Sequence, residues 1–246
     1  MPDSRKHRGQ HPSDAELFGK SQVPKLQQAV KDLSWLLSRG YAEKSSLKLV
    51  GDRYRLKSRQ RLAVVRSSCS RQAASRRRLH ALPEEAMKGG TLYIDGFNLL
   101  ITVESALSGS FILEGVDGCY RDMASVHGSY RRVAETEEAI VLAGKALEKL
   151  EASRAVWCLD RPVSNSGRLK QMILEVAGTN NWAWEAELYY NPDHLLSSQP
   201  APTASSDSVI LDSAAQWFNL ACYIVDNYVP NALILPLGQL AKAASP

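Results

Sequence analysis

Beyond residue 90 the chain alternates short apolar runs with amphipathic stretches, and this alternation most restricts its fold. "TLYID" (91–95), "RAVWCLD" (154–160), "WAWEAELYYN" (182–191) and "NALILPL" (231–237) read as strands. Helical periodicity fills residues 132–153 and 164–178, and a helix opens in 205–227 with Ser206 as its cap. Strands alternating with helices predict an α/β fold, a mainly parallel central sheet covered on both faces. In such sheets ligands gather outside the carboxyl ends of the strands.

Acids stand at those ends. Asp95 closes the first strand and Asp160 the second, and Asp207 follows a short "PTAS" segment where a helix begins. One strand-end Asp is more often structural than catalytic; three at corresponding places shift the balance toward chemistry. Carboxylates gathered together repel one another, and hard divalent cations such as Mg²⁺ or Mn²⁺ relieve that repulsion through oxygen ligands. Such ions support in-line phosphodiester cleavage.

The charge balance splits the chain. Residues 1–90 carry 20 Lys and Arg against 8 Asp and Glu, whereas residues 91–246 carry 10 against 18. Residues 1–22 are polar and basic, an expected flexible tail. Residues 23–85 read as a basic helical module: a helix from Val23 to Gly40, a small hairpin about Gly51-Asp52, and a second helix from Ser58 through Leu79. Arg59, Arg61 and Arg66 on that helix are candidate phosphate contacts, and the competing expectation is a basic face packed on the acidic half. Residues 80–90, with Pro83 and Gly89-Gly90, form the boundary, and 90–240 the second domain.

"YIDGFNLL" and "TASSDSVIL" resemble the opening and a later segment of PIN-like nucleases of the NYN type, and "VWCLDRPVSNSG" is similar to the strand between them. The whole chain also resembles a prokaryotic family that joins a basic helical N-terminal domain of unknown function to a PIN-like domain, on "SLKLVGDRYRL" and "RQRLAVVR". The resemblance implies a three-layer α/β/α PIN-like domain. It implies Asp95, Asp160 and Asp207 as catalytic metal ligands with Asp212 as a fourth acid, and Asn98 as the group that orients Asp95 or touches the metal's water. The single acid of Ser206-Asp207-Ser208 departs from a pattern that often has two.

Further candidates flank these. Arg121, Asp122, His127 and Arg131 in "DGCYRDMASVHGSYRR" are candidate phosphate or site contacts, against a reading as a surface loop. Ser164 and Ser206 stand at helix starts, where capping and phosphate contact compete. Glu104 is expected to face solvent, and Trp182 and Trp184 to pack in the core. The expected activity is metal-dependent phosphodiester hydrolysis, a ribonuclease with Mg²⁺ or Mn²⁺ and a nucleic-acid partner, RNA foremost. The alternative is a non-catalytic nucleic-acid-binding protein with a degenerate site. A phosphotransferase or phosphatase is disfavoured, because no G-x-x-x-x-G-K-[ST] loop and no Asp-x-Asp after the first strand occur. No secretory signal, membrane-spanning run or C-x-x-C pair is found, and a cytoplasmic protein with reduced thiols is expected. A homo-oligomer is compatible with the sequence but not specified by it.

Overall fold

Helices α1 (Asp14–Phe18), α2 (Val23–Leu37), α3 (Glu43–Arg53), α4 (Ser58–Ser67) and α5 (Arg71–His80) open the computed structural model, which describes residues 8–124, 130 and 132–239. A 3₁₀ turn, Glu84–Met87, leads into β1 (Thr91–Asp95), α6 (Gly96–Leu107), β2 (Phe111–Glu114) and β3 (Tyr120–Arg121). There follow α7 (Thr136–Lys149), β4 (Arg154–Asp160), α8 (Ser166–Asn180), β5 (Trp184–Tyr189) and α9 (Pro192–Ser198). The last elements are β6 (Thr203–Ala204), α10 (Ser208–Leu211), α11 (Leu220–Tyr228) and β7 (Leu233–Leu235).

The central sheet runs β5-β4-β1-β6 and all its pairings are parallel. Successive side chains of a strand point to opposite faces, and the packing follows that period. Leu92, Ile94, Ala155, Trp157, Leu159 and Ala186 face the large core built with α6, α7, α8 and α11. Tyr93, Val156 and Cys158 face the other side, against Leu195 and Leu196 of α9 and Ile210 of α10. Helices therefore cover both faces, as the alternation of elements predicts.

The expected last strand does not join this sheet. β7 pairs parallel with β2, and β3 pairs antiparallel with β2, in a separate three-stranded sheet. Leu113, Leu235 and Leu237 from this region share a core with Leu26, Val30 and Leu33 of α2 and Ala63 and Val64 of α4. The small sheet is thus the surface on which the helical region sits.

Four local expectations are overturned. Residues 43–53 form a helix and not a hairpin. Gly51, read as a turn residue, is instead packed against Arg61, whose Nη1 would lie 2.1 Å from a Cβ at that position. The expected helix of residues 58–79 breaks at Ser68-Cys69-Ser70, where Ser70 caps a new helix by accepting from the Ala73 N–H. The basic tail is anchored from Arg8 on: Arg8 reaches the fully buried Glu104, and buried Asp14 accepts a bidentate contact from Arg59. Glu104 therefore does not face solvent. It also accepts hydrogen bonds from Tyr130 and from Thr136 Oγ1. None of the described helices is long and apolar enough to cross a membrane.

Candidate acidic site at the carboxyl edge of the sheet

Strand parity decides which face each acid serves. Asp95 lies two residues beyond Tyr93, and Asp160 two beyond Cys158, so both share the face covered by α9 and α10. Asp207 caps α10, accepting from the N–H of Val209 at 2.7 Å and of Ile210 at 3.4 Å. Asp193, in the first turn of α9, follows the end of β5 in the same way. Each of the four adjacent strands thus hands an acid to one edge.

Asp95 is 9 % exposed. Its carboxylate accepts from Ser205 Oγ at 2.8 Å and from the Asn98 N–H at 3.4 Å. Burial, together with the negative charges of Asp207 and Asp193, pushes its carboxyl up to about 7. Asp160 and Asp193 are raised as well, first by desolvation and then by their acidic neighbours: Asp193 acts on Asp160, and Asp207 on Asp193. None of the four forms an ion pair with a described residue, so no described cation offsets their mutual repulsion.

Ser205 and Asn98 organise the centre. Ser205 Oγ donates to Asp95 and accepts from the Asp207 N–H at 3.0 Å, joining the two acids. The Asn98 side chain does not touch Asp95. Its Oδ1 accepts both the N–H and the O–H of Ser206 at 2.9 Å, holding the chain just before Asp207. Neither Ser205 nor Asp193 stood out in the sequence. For Asp193 the available signal was Asn191-Pro192-Asp193, a helix start placed directly after a strand.

The expected set of metal ligands does not assemble. Among the described residues no three His, Cys, Asp or Glu side chains converge on a common ion position. Register supplies a reason: Asp95 pairs with Cys158, so Asp160 stands two residues farther along the neighbouring strand. With a rise of ~3.3 Å per residue and strands ~4.8 Å apart, that offset separates the two backbones by about 8 Å. Asp212 turns away from the edge and pairs with Arg77 at 2.7 Å. A hydrated ion would need only one or two of these carboxylates, since Mg²⁺ commonly keeps several waters. Asp95 and Asp207, joined through Ser205, are the pair that would hold it.

The candidate phosphate contacts are mostly committed inside the chain. Arg121 is bidentate to Asp117, at 2.9 and 2.6 Å, and its Nε donates to the Ser206 carbonyl at 2.9 Å. Arg77, also buried, contacts Asp117 at 2.5 Å, and the two guanidinium groups hold the Asp117 carboxyl far below the usual carboxylate range despite its burial. Arg59 pairs with Asp14 and Arg61 with Asp52. Arg66 donates to the carbonyls of Asp122 and Ala124 and lies 3.4 Å from the Asp122 carboxylate. Arg66, Asn98, Arg121, Asp122, Ser206 and Asp207 nevertheless line one open cavity of about 300 Å³. Ser164 is exposed in the turn before α8, and Asn165, which begins that helix, makes no side-chain cap. His127 and Arg131 lie outside the described residues.

A family model described as "Domain of unknown function (DUF5616)" matches residues 84–223, a stretch that holds all four edge acids. The chain belongs to the DUF5616 family. A second model, "Protein of unknown function (DUF434)", matches residues 25–79 ahead of the DUF5616 stretch. Over 190 residues the chain is 34% identical to "Uncharacterized protein MJ0935" of Methanocaldococcus jannaschii, covering 76% of this chain and 89% of that protein. No solved structure matches. The DUF434 and DUF5616 stretches meet through side chains, Arg77 of the first holding Asp117 and Asp212 of the second.

Proposed function

We propose that this DUF5616 protein is a metal-dependent phosphodiesterase acting on RNA, with its centre at the carboxyl edge of the parallel sheet. One observation carries the reading: four neighbouring strands each deliver an acid to that edge, and the acids lack any cationic partner among the described residues. A structural carboxylate is ordinarily paired or solvated. An uncompensated, half-buried group of them stores repulsion that a cation and its substrate would release. The short "YIDGFNLL" and "TASSDSVIL" motifs support the same reading by resemblance to PIN-like nucleases.

Mg²⁺ or Mn²⁺ bound there would supply charge neutralisation and an activated water for in-line attack on phosphorus. The chain's own part is positional. Ser205 fixes one oxygen of Asp95 and the Asn98 N–H steadies the same carboxylate. Asn98, through Ser206, fixes the approach to Asp207.

The test is cleavage of a labelled single-stranded RNA by the purified chain with Mn²⁺ or Mg²⁺, compared with EDTA and with Asp95→Asn. Metal-stimulated cleavage that disappears in both controls is expected. Cleavage that survives EDTA, or full activity in Asp95→Asn, overturns the proposal. The second reading, an RNA-binding protein with an incomplete centre, is favoured by the failure of any three described acids to converge. It gives salt-sensitive RNA binding with no metal-stimulated turnover.

A further inference from the structure

On another part of the surface, α2 and α5 border a groove of about 570 Å³, within the size range of ligand-binding pockets. Its floor is apolar, with Val30, Cys69 and Leu237. Its rim carries Lys31, Arg39, Arg71 and Arg78, all exposed, beside Trp35, which is 51% exposed. Lys31, Arg71 and Arg78 form no ion pair with any described residue, in contrast to Arg59, Arg61, Arg66 and Arg77. The Arg39 guanidinium lies 3.7 Å from the centre of the Trp35 ring, so the aromatic face and a positive charge are already brought together. Ser34 Oγ, on the same wall, is buried without a hydrogen-bond partner among the described residues. Buried polar groups are normally satisfied, and one orphaned beside a cavity suits a polar group arriving from outside.

We propose that this groove is the docking site for single-stranded RNA: one base stacks at Trp35 and neighbouring phosphates lie on Lys31, Arg71 and Arg78. The combination of an aromatic platform with cations along a groove is the chemistry that holds single strands, each base offering a π-face and each linkage a negative charge. The unpaired cations decide the charge of the occupant. The apolar floor and Trp35 distinguish a base-bearing strand from a bare polyanion. The assignment rests on the nucleic-acid reading above but replaces the arginines that sequence alone pointed to, because those are consumed by internal pairs.

The experiment measures fluorescence anisotropy of a labelled single-stranded 12-mer RNA in EDTA, so that cleavage plays no part, over a salt series. Trp35→Ala should weaken binding about tenfold, within the range seen for loss of one stacked base. Arg71→Ala with Arg78→Ala should weaken it further and lower the salt slope by roughly 0.7 for each phosphate no longer neutralised. Lys149→Ala, a surface charge removed at the end of α7, should leave binding unchanged. All these positions are exposed, and circular dichroism checks that each variant folds. If wild type binds RNA and the groove variants bind equally well, the groove assignment fails while the nucleic-acid reading stands. If wild type does not bind, both fail. Binding of a mononucleotide as tight as that of the 12-mer, or equal weakening in Lys149→Ala, also overturns the assignment.

Discussion

Asn98 and Ser206 are joined twice, the carboxamide oxygen accepting both the backbone N–H and the hydroxyl of the serine at 2.9 Å. The two residues are 108 positions apart in sequence, and the contact ties the first turn of α6 to the segment that carries Asp207. Removing the acceptor leaves two donors of the buried Ser206 without it. Asn98→Ala should therefore cost about 1–3 kcal/mol, read as a lower urea midpoint with an unchanged m-value. The same variant should lose RNA cleavage through misplacement of Asp207, with RNA binding in EDTA retained.

Asp95 makes the protein less stable as pH rises. Its carboxyl stands near 7 in the folded chain against an ordinary value of 3.8, so the folded state keeps a proton that the unfolded chain gives up. Its contribution is complete below about pH 4 and is lost between there and pH 7. Asp160 and Asp193 are shifted in the same direction and add to the slope. Asp95→Asn removes the buried charge. At pH 8 it should raise stability on the order of 2 kcal/mol, or roughly 4–8 °C in Tm, while abolishing cleavage. Thermal scans from pH 4 to 8 should show the gap between variant and wild type widening with pH; a gap that does not change with pH contradicts this.

Asp117 acts with the opposite sign. Arg121 and Arg77 hold its carboxyl below the ordinary value, so its stabilisation is present at neutral pH and is lost as pH falls below about 4. Asp117→Asn leaves two buried guanidinium groups short of a counter-charge. It should cost about 3–5 kcal/mol, measured by chemical unfolding at pH 7. Asp212→Asn, which touches one of those arginines from a half-exposed position, should cost much less.

Gly144 gives a packing test. Trp182 lies where a Cβ would stand, with its nearest ring atom 1.9 Å from that position, and Trp182 in turn stacks on Trp184 at 4.8 Å. Alanine is the better helix former by about 1 kcal/mol, yet Gly144→Ala should lower stability by about 1–3 kcal/mol because the indole must move. Intrinsic tryptophan fluorescence should change along with Tm, and a stabilised variant with unaltered fluorescence would refute the packing account.

What the sequence made legible was what depends on neighbours along the chain. The parallel β1, β4 and β5 were readable because an apolar run bounded by polar residues is a local signal, and the acids that end β1 and β4 are part of the same run. Asp193 was not legible, since Asn-Pro-Asp is equally a plain helix start. The offset between Asp95 and Asp160 was hidden because register is fixed by packing between strands 63 residues apart. The arginines were visible, but their partners were not: Arg59 meets an acid 45 positions away and Arg77 one 135 positions away. Gly51-Asp52 misled because the glycine makes room for the Arg61 guanidinium and does not turn the chain.

The bonds around Arg77 and Trp217 bear on how the chain can be divided. Trp217 Nε1 donates to the Arg77 carbonyl at 2.7 Å, the Leu82 N–H donates to the Trp217 carbonyl at 2.8 Å, and Ala81 bridges to Trp217 as a short piece of sheet. The interval between residues 79 and 84, where the two family stretches meet, is largely exposed but is tied to the buried Trp217 by these hydrogen bonds. An expression fragment beginning at residue 84 would carry Asp117 and Arg121 without Arg77, expose the leucines of β2 and β7, and leave the indole of Trp217 without its acceptor. The two stretches share the smaller core, and cutting the gene at the family boundary should lower the stability of the larger piece while leaving its main core intact.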